Sequence, residues 1–169
     1  MLKINKNNKP VIAMVDGIAT AAGCQLISSC DLAYSSSRAK YATPGVNIGL
    51  FCSTPMVPLS RTVGKKQAME MLLTGDLIDA NKALRIGLIN DVFEEDSLKE
   101  NVFQIAKKIS SKSSNTIKIG KEAFYKQKDM NLEDAYTFTS KVMTENMLHD
   151  DSKEGIDAFL EKREPNWKE

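Results

Sequence analysis

The stretch Gly17–Cys30, GIATAAGCQLISSC, constrains the fold of this chain more than any other. An apolar run, Val11 to Val15, precedes it and lacks the alternation of a half-exposed strand, so it reads as a strand buried on both faces. The stretch opens on Gly17 and passes only small residues, Ala19, Thr20, Ala21, Ala22 and Gly23. From about residue 22 to residue 30 it turns helical, with Leu26, Ile27 and Cys30 on one face. A strand, a bend of small residues and a helix start leave backbone N–H groups without intrahelical partners at the positive end of the helix dipole. Small side chains let a ligand come close to that backbone. The ligand atom that suits such a place is an oxygen that carries or develops negative charge. Two familiar phosphate cradles do not fit. No third glycine completes a G-x-G-x-x-G spacing, and no Lys-Ser/Thr pair follows Gly23.

Bulk properties narrow the class. The chain has 169 residues, 42% hydrophobic and 27% charged, enough for one core or a core with a helical appendage. A net charge of +1 gives no electrostatic case for nucleic acid or an anionic membrane. No apolar run reaches membrane-span length, so no membrane partner is expected. The cysteines Cys24, Cys30 and Cys52 match no common zinc or redox spacing and read as small buried hydrophobes in a reducing compartment. No metal site is expected. The cytoplasm fits, or the mitochondrial matrix if the sequence belongs to a longer precursor.

Beyond the bend, Asp31–Tyr34 and Lys40–Ala42 read as short strands, with Ser35, Ser36 and Ser37 as a polar turn between them. Pro44-Gly45 ends the second of these, and Val46–Leu50 is a further apolar piece before a loop, Phe51–Pro55. Gly64 starts a helix that Gly75 closes. Asp79 is placed to cap Ala80–Ile86, and Gly87 to end it. Leu88–Val92 reads as the last strand. Strands alternating with helices predict parallel pairing. Asp16 and Asp31, flanking the bend and its helix, read as caps.

From Asp96 on, the periodicity is helical throughout. Ser97 with Glu100 spells a capping box, and Leu98, Val102, Ile105, Ala106 and Ile109 form a stripe. Ile117, Gly120, Phe124 and Lys128 share a face in 114–128, and Asn131 caps a long helix. Asp151 or Ser152 is placed to cap a last helix that turns Ile156, Phe159 and Leu160 inward. The expected division is residues 1–92 as core and 93–169 as a helical region whose apolar faces wrap the core or meet another subunit. His149, the only histidine, reads as a surface residue.

KPVIAMVDGIATAAGCQL, then CDLAY, PGVNIGL and GKKQAMEMLLTGDLIDANKALRIGLINDV, with EGIDAFLEKREPNW near the end, resemble the enoyl-CoA hydratase/isomerase (crotonase) superfamily. The resemblance runs from about Lys9 to Trp167. It implies an α/β fold, a crotonase-like (ClpP/crotonase) ββα spiral whose C-terminal helices build trimers, often paired into hexamers. It implies an acyl-CoA thioester as ligand, with coenzyme A as part of the substrate and no separate cofactor. It implies two backbone N–H groups holding the thioester oxygen while an enolate forms. One falls on Ala22, with Ala19, Thr20 and Gly23 lining the approach. Family chains begin with a further βα segment that supplies the other, so this sequence is expected to match their later part, as an N-terminally truncated relative.

The resemblance also implies two departures. The glutamate that follows the Gly-Cys pair in hydratases is Gln25 here, and the one after the loop proline is Gly45. An amide moves no proton near neutral pH, and glycine has nothing to offer. Each lost general acid or base lowers the rate by about 10²–10⁴-fold. Weak or altered activity is therefore implied, with a catalytically silent binding or assembly subunit as the alternative. At the C-terminus the family's Phe and Lys near a neighbouring subunit's ligand fall on Phe159 and Lys162.

Overall fold

The structure, a computed structural model, describes residues 1–168. The chain forms two compact units. One takes in Met1–Asn5 and Val11–Ala106, the other Lys6–Pro10 and the chain from Lys107 onward.

In the first unit a short helix α1 (Leu2–Asn5) precedes β1 (Ile12–Val15), β2 (Ile18–Thr20), helix α2 (Ala22–Ser29), β3 (Leu32–Ser36) and β4 (Lys40–Ala42). A 3₁₀ turn, Pro44–Ile48, follows, then α3 (Met56–Thr62), α4 (Lys65–Thr74), β5 (Ile78–Asp79), α5 (Ala80–Arg85) and β6 (Asp91–Phe93). The strands make two three-stranded sheets, in the orders β1-β3-β6 and β2-β4-β5. The first sheet is parallel throughout, with Ile12 opposite Leu32 and Tyr34 opposite Asp91. β2 runs parallel to β4, with Thr20 opposite Ala42, and among the described residues only β5 runs antiparallel.

The core lies under α2, α4 and α5. Cys24, Ile27, Tyr41, Leu59, Met71, Leu72 and Ala83 are buried in one cluster. Burying each of the larger side chains stabilises the fold by about 1.5–3 kcal/mol. The expected helix ends hold. Gly75 closes α4 in the left-handed region at φ 67°, and its N–H donates to Met71 O at 3.1 Å. The Asp79 carboxylate accepts from Lys82 N at 2.7 Å, capping α5.

Several expectations are corrected. Ser35 and Ser36 form no polar turn. They are fully buried at the end of β3, paired with Val92 and Phe93 of β6. The last strand starts at Asp91 and runs to Phe93; Leu88 and Ile89, expected in it, lie buried in the bend that precedes it. Neither flanking aspartate caps a helix. Asp31 Oδ2 accepts from Val11 N at 2.7 Å, and Asp16 accepts two hydrogen bonds from Arg38, at 3.1 and 2.7 Å. That guanidinium holds the Asp16 carboxyl below the usual carboxylate range. Ser97 lies inside α6 (Glu95–Ser110), donating its hydroxyl to Glu94 O, so there is no capping box.

In the second unit, α7 (Ser114–Gln127), α8 (Leu132–Met147) and α9 (Asp150–Glu161) follow. Ser113 and Asn131 cap α7 and α8 through their side chains, on Thr116 N and Asp134 N. His149, exposed, stands at the N-cap of α9, so Asp151 falls inside the first turn. There it is buried and accepts from Ser113 Oγ at 2.5 Å. Ile156, Phe159 and Leu160 do not turn inward. They are 53%, 82% and 71% exposed, and Ala158 is the residue of that helix turn that is buried. Near the end of the chain Trp167 donates its indole N–H to Ser111 O at 2.9 Å. Its ring lies where a β-carbon on Gly155 would come within 3.2 Å.

Candidate active site

The bend that dominates the sequence contains a short strand, β2, before it enters α2. Ala21 makes the transition. It sits at φ 46° and ψ −108°, a conformation rarely taken by a residue with a β-carbon. Its N–H donates to Ala42 O at 3.0 Å, which extends the β2–β4 pairing by one residue. Its carbonyl accepts from Gln25 N at 2.9 Å and starts the helix. Ala22 is the first residue of α2 and is exposed. Its N–H precedes the intrahelical ladder and meets no acceptor among the described residues. Gly23 packs on the preceding strand, since a β-carbon there would lie 3.6 Å from Ala19 Cβ.

Gln25 and Gly45, the two positions singled out by the resemblance, follow neighbouring parallel strands. Gln25 lies in the first turns of α2, after β2, and is half-buried. Gly45 lies in the 3₁₀ turn after β4. The carboxyl ends of adjacent parallel strands are where open α/β sheets place ligands. Gly45 is closely covered. Its N–H donates to Cys52 Sγ at 3.3 Å, and its carbonyl accepts from Leu50 N at 2.9 Å. A β-carbon on Gly45 would stand 2.5 Å from Leu50 O and 2.9 Å from Cys52 Sγ. Gly75 holds the turn from below. A β-carbon on it would meet Asn47 Nδ2, Pro44 Cα and Val46 Cγ2, each at 3.1 Å.

Cys24 is fully buried beside Gln25, and burial pushes its thiol up to about 11. It offers no thiolate near neutral pH. Among the described residues no group of three or more His, Cys, Asp or Glu is placed to hold a metal ion. No described helix is long and apolar enough to cross a membrane. Two features of the site had escaped the sequence reading. The Ala21 conformation carries no signal, since a glycine would normally mark it. The cover that Leu50 and Cys52 place over Gly45 depends on how a loop closes. Phe159 is exposed on α9, and Lys162 ends that helix in the left-handed region at φ 56°.

A sequence profile described as enoyl-CoA hydratase/isomerase matches residues 1–169. The chain is 51% identical over 167 residues to the mitochondrial enoyl-CoA hydratase domain-containing protein 3 of Rattus norvegicus, covering 99% of this chain and 56% of that one. The crystal structure of the human enoyl coenzyme A hydratase domain-containing protein 3 superposes with a TM-score of 0.96 at 51% identity, over 98% of this chain and 66% of that one. An enoyl-CoA hydratase from Mycobacterium smegmatis gives the same TM-score at 46% identity, over 98% of this chain and 65% of that one. The chain therefore spans between about half and two thirds of these relatives. With its parallel βα order and the profile match over its length, the chain has the crotonase-like fold and belongs to the enoyl-CoA hydratase/isomerase family.

Proposed function

We propose that this chain takes an acyl-CoA thioester and stabilises negative charge on the thioester oxygen with the N–H of Ala22. The observation that carries this reading is the N–H of exposed Ala22, which meets no acceptor among the described residues, at the start of an eight-residue helix that follows the Ala21 bend. A preorganised donor of this kind contributes about 3 kcal/mol to a transition state that develops an oxyanion. Thr20 and Gly23, both half-buried, are small enough to leave the approach free of bulk, whereas Ala19, expected beside them, is buried in the core and only supports Gly23. Coenzyme A enters as part of the substrate, with no separate cofactor.

Hydration is not the reaction that suits this site. Gln25 transfers no proton near neutral pH, and no side chain stands at Gly45. Reactions that need only oxyanion or enolate stabilisation, such as thioester hydrolysis or decarboxylation, fit better. A homotrimer, singly or paired as a hexamer, joined through the helices of the second unit accounts for the exposed Phe124, Tyr136, Met143 and Leu160. Phe159 and Lys162 then approach a neighbouring subunit's ligand. The relatives named for mitochondria support a mitochondrial setting over a cytoplasmic one.

The test pairs turnover with binding. With crotonyl-CoA, loss of the conjugated thioester absorbance should run at least about 10²-fold slower than in an ordinary hydratase. Calorimetry with acetyl-CoA should show binding. Hydratase-like turnover would overturn the assignment of Gln25 and Gly45. An absence of binding at millimolar acetyl-CoA would overturn the acyl-CoA reading and leave a silent assembly subunit.

A further inference from the structure

Two helices of the second unit, α7 and α9, begin at one cavity. It has a volume of about 430 Å³ and is lined in part by Ser114, Asn115 and Lys118 of α7, by Asp150 and Asp151 of α9, and by Lys9. Its carboxylates are already engaged. Asp151 is buried and accepts from Ser113 Oγ, and Asp150 Oδ2 accepts from Lys168 Nζ at 3.2 Å. The ammonium groups of Lys9 and Lys118 are not. Among the described residues neither meets a carboxylate or another acceptor.

Three more donors on the first turn of α7 are unused. Ser113 caps Thr116 N with its hydroxyl and takes Ile117 N on its carbonyl, so the N–H groups of Ser114 and Asn115 precede the intrahelical ladder and meet no acceptor among the described residues. Asn115 Nδ2 is buried without a partner. An amide donor buried unpaired is costly, and its terminal torsion is soft enough to turn toward an acceptor in the cavity that Asn115 lines. The turn has no acid of its own to answer the positive end of the helix dipole. Lys118 stands four residues after Ser114, on the same face of the helix.

We infer that this cavity binds the phosphate group of a small soluble molecule, in the unit that does not contain Ala22. The donor set selects phosphate. Two uncompensated ammonium groups call for two negative charges. Donors from a helix turn, a side-chain amide and a separate stretch of chain suit three oxygens pointing apart better than the two coplanar oxygens of a carboxylate. The inference does not depend on acyl-CoA binding at Ala22.

The probe is inorganic phosphate, titrated at constant ionic strength while amide NMR follows the N–H groups of Ser114 and Asn115. Their signals should shift and saturate, and acetate should bind at least about tenfold more weakly. Lys118→Ala should weaken phosphate binding by about fivefold or more. Ser114→Asp should abolish it while the melting temperature holds or rises, because an acid in the first turn suits the helix dipole. Acetyl-CoA affinity should be the same in both variants as in the parent. An absence of saturation, acetate acting as strongly as phosphate, or phosphate affinity that both substitutions leave unchanged would overturn the site. Loss of acetyl-CoA binding in Ser114→Asp would assign the cavity to the phosphates of coenzyme A and overturn a separate site.

Discussion

Gly45 and Cys52 are in such close contact that the Gly45 N–H donates to the Cys52 sulfur at 3.3 Å, and a β-carbon on Gly45 would fall 2.9 Å from it. The same β-carbon would press to 2.5 Å on the Leu50 carbonyl, which is backbone and cannot swing aside. Gly45→Ala is therefore expected to destabilise the fold by about 1–3 kcal/mol, as overpacking does. Gly45→Glu should destabilise it as well and leave crotonyl-CoA hydration no faster. Urea midpoints and the thioester absorbance check both. A glutamate variant of normal stability would show that the loop 50–52 opens readily.

Ala21 has the opposite problem, a β-carbon at φ 46°. Such a conformation costs about 1–3 kcal/mol, and glycine removes most of that cost at a smaller entropic one. Ala21→Gly should stabilise the chain by about 1 kcal/mol, and Ala21→Val should destabilise it. Thermal unfolding of the two variants against the parent settles the sign.

The cysteines should differ in reactivity. Burial raises the Cys24 thiol from 9.0 to about 11, whereas Cys30 is only half-buried. Alkylation at pH 8 followed by peptide mass mapping should modify Cys30 well before Cys24. A thiol raised in the folded state supports folding fully below its unfolded pKa. That support is lost as pH climbs from about 9 through about 11. Rapid labelling of Cys24 in the folded protein would contradict its burial.

Acid titration should expose the Glu154–Arg163 pair. Arg163 grips both Glu154 oxygens, at 2.6 and 3.0 Å, and Asn166 N adds a third hydrogen bond. The guanidinium, then the Asn166 amide, hold the Glu154 carboxyl down at about 2, below its ordinary 4.5. A carboxyl depressed by folding supports the fold above its unfolded pKa and loses that support as pH falls from about 4.5 through about 2. Glu154→Gln should remove this part of the acid dependence. Carbon-detected NMR of the Glu154 carboxyl reads its titration directly.

The legible parts of the fold were those with local causes. The Gly75 closure of α4, the Asp79 cap of α5 and the Asn131 cap of α8 each follow from one residue's chemistry. α3 was hidden because Pro55 and Pro58 suggest a loop, although Pro55 is its N-cap and Pro58 lies in its first turn, where a missing N–H goes unnoticed. β2 and β5 were hidden because three and two residues are too short to show a period. Ser35 and Ser36 looked like a turn, because composition cannot show that β6 returns to pair with them. The same division runs through the site. The small-residue bend could be read directly, but the crowding of Gly45 arises from a loop that folds back over it.

The position of Trp167 has a practical consequence. It is the sole tryptophan of the chain, and its neighbours Ser111 and Gly155 belong to the same compact unit. Indole emission therefore provides a built-in optical gauge for that unit alone. Tyrosine emission is shared, since Tyr125 and Tyr136 belong to the same unit as Trp167 while Tyr34 and Tyr41 belong to the other, so amide exchange at buried Tyr34 and Tyr41 is the matching signal there. Following both signals through one denaturant series would reveal whether the halves of this molecule melt in concert or in turn.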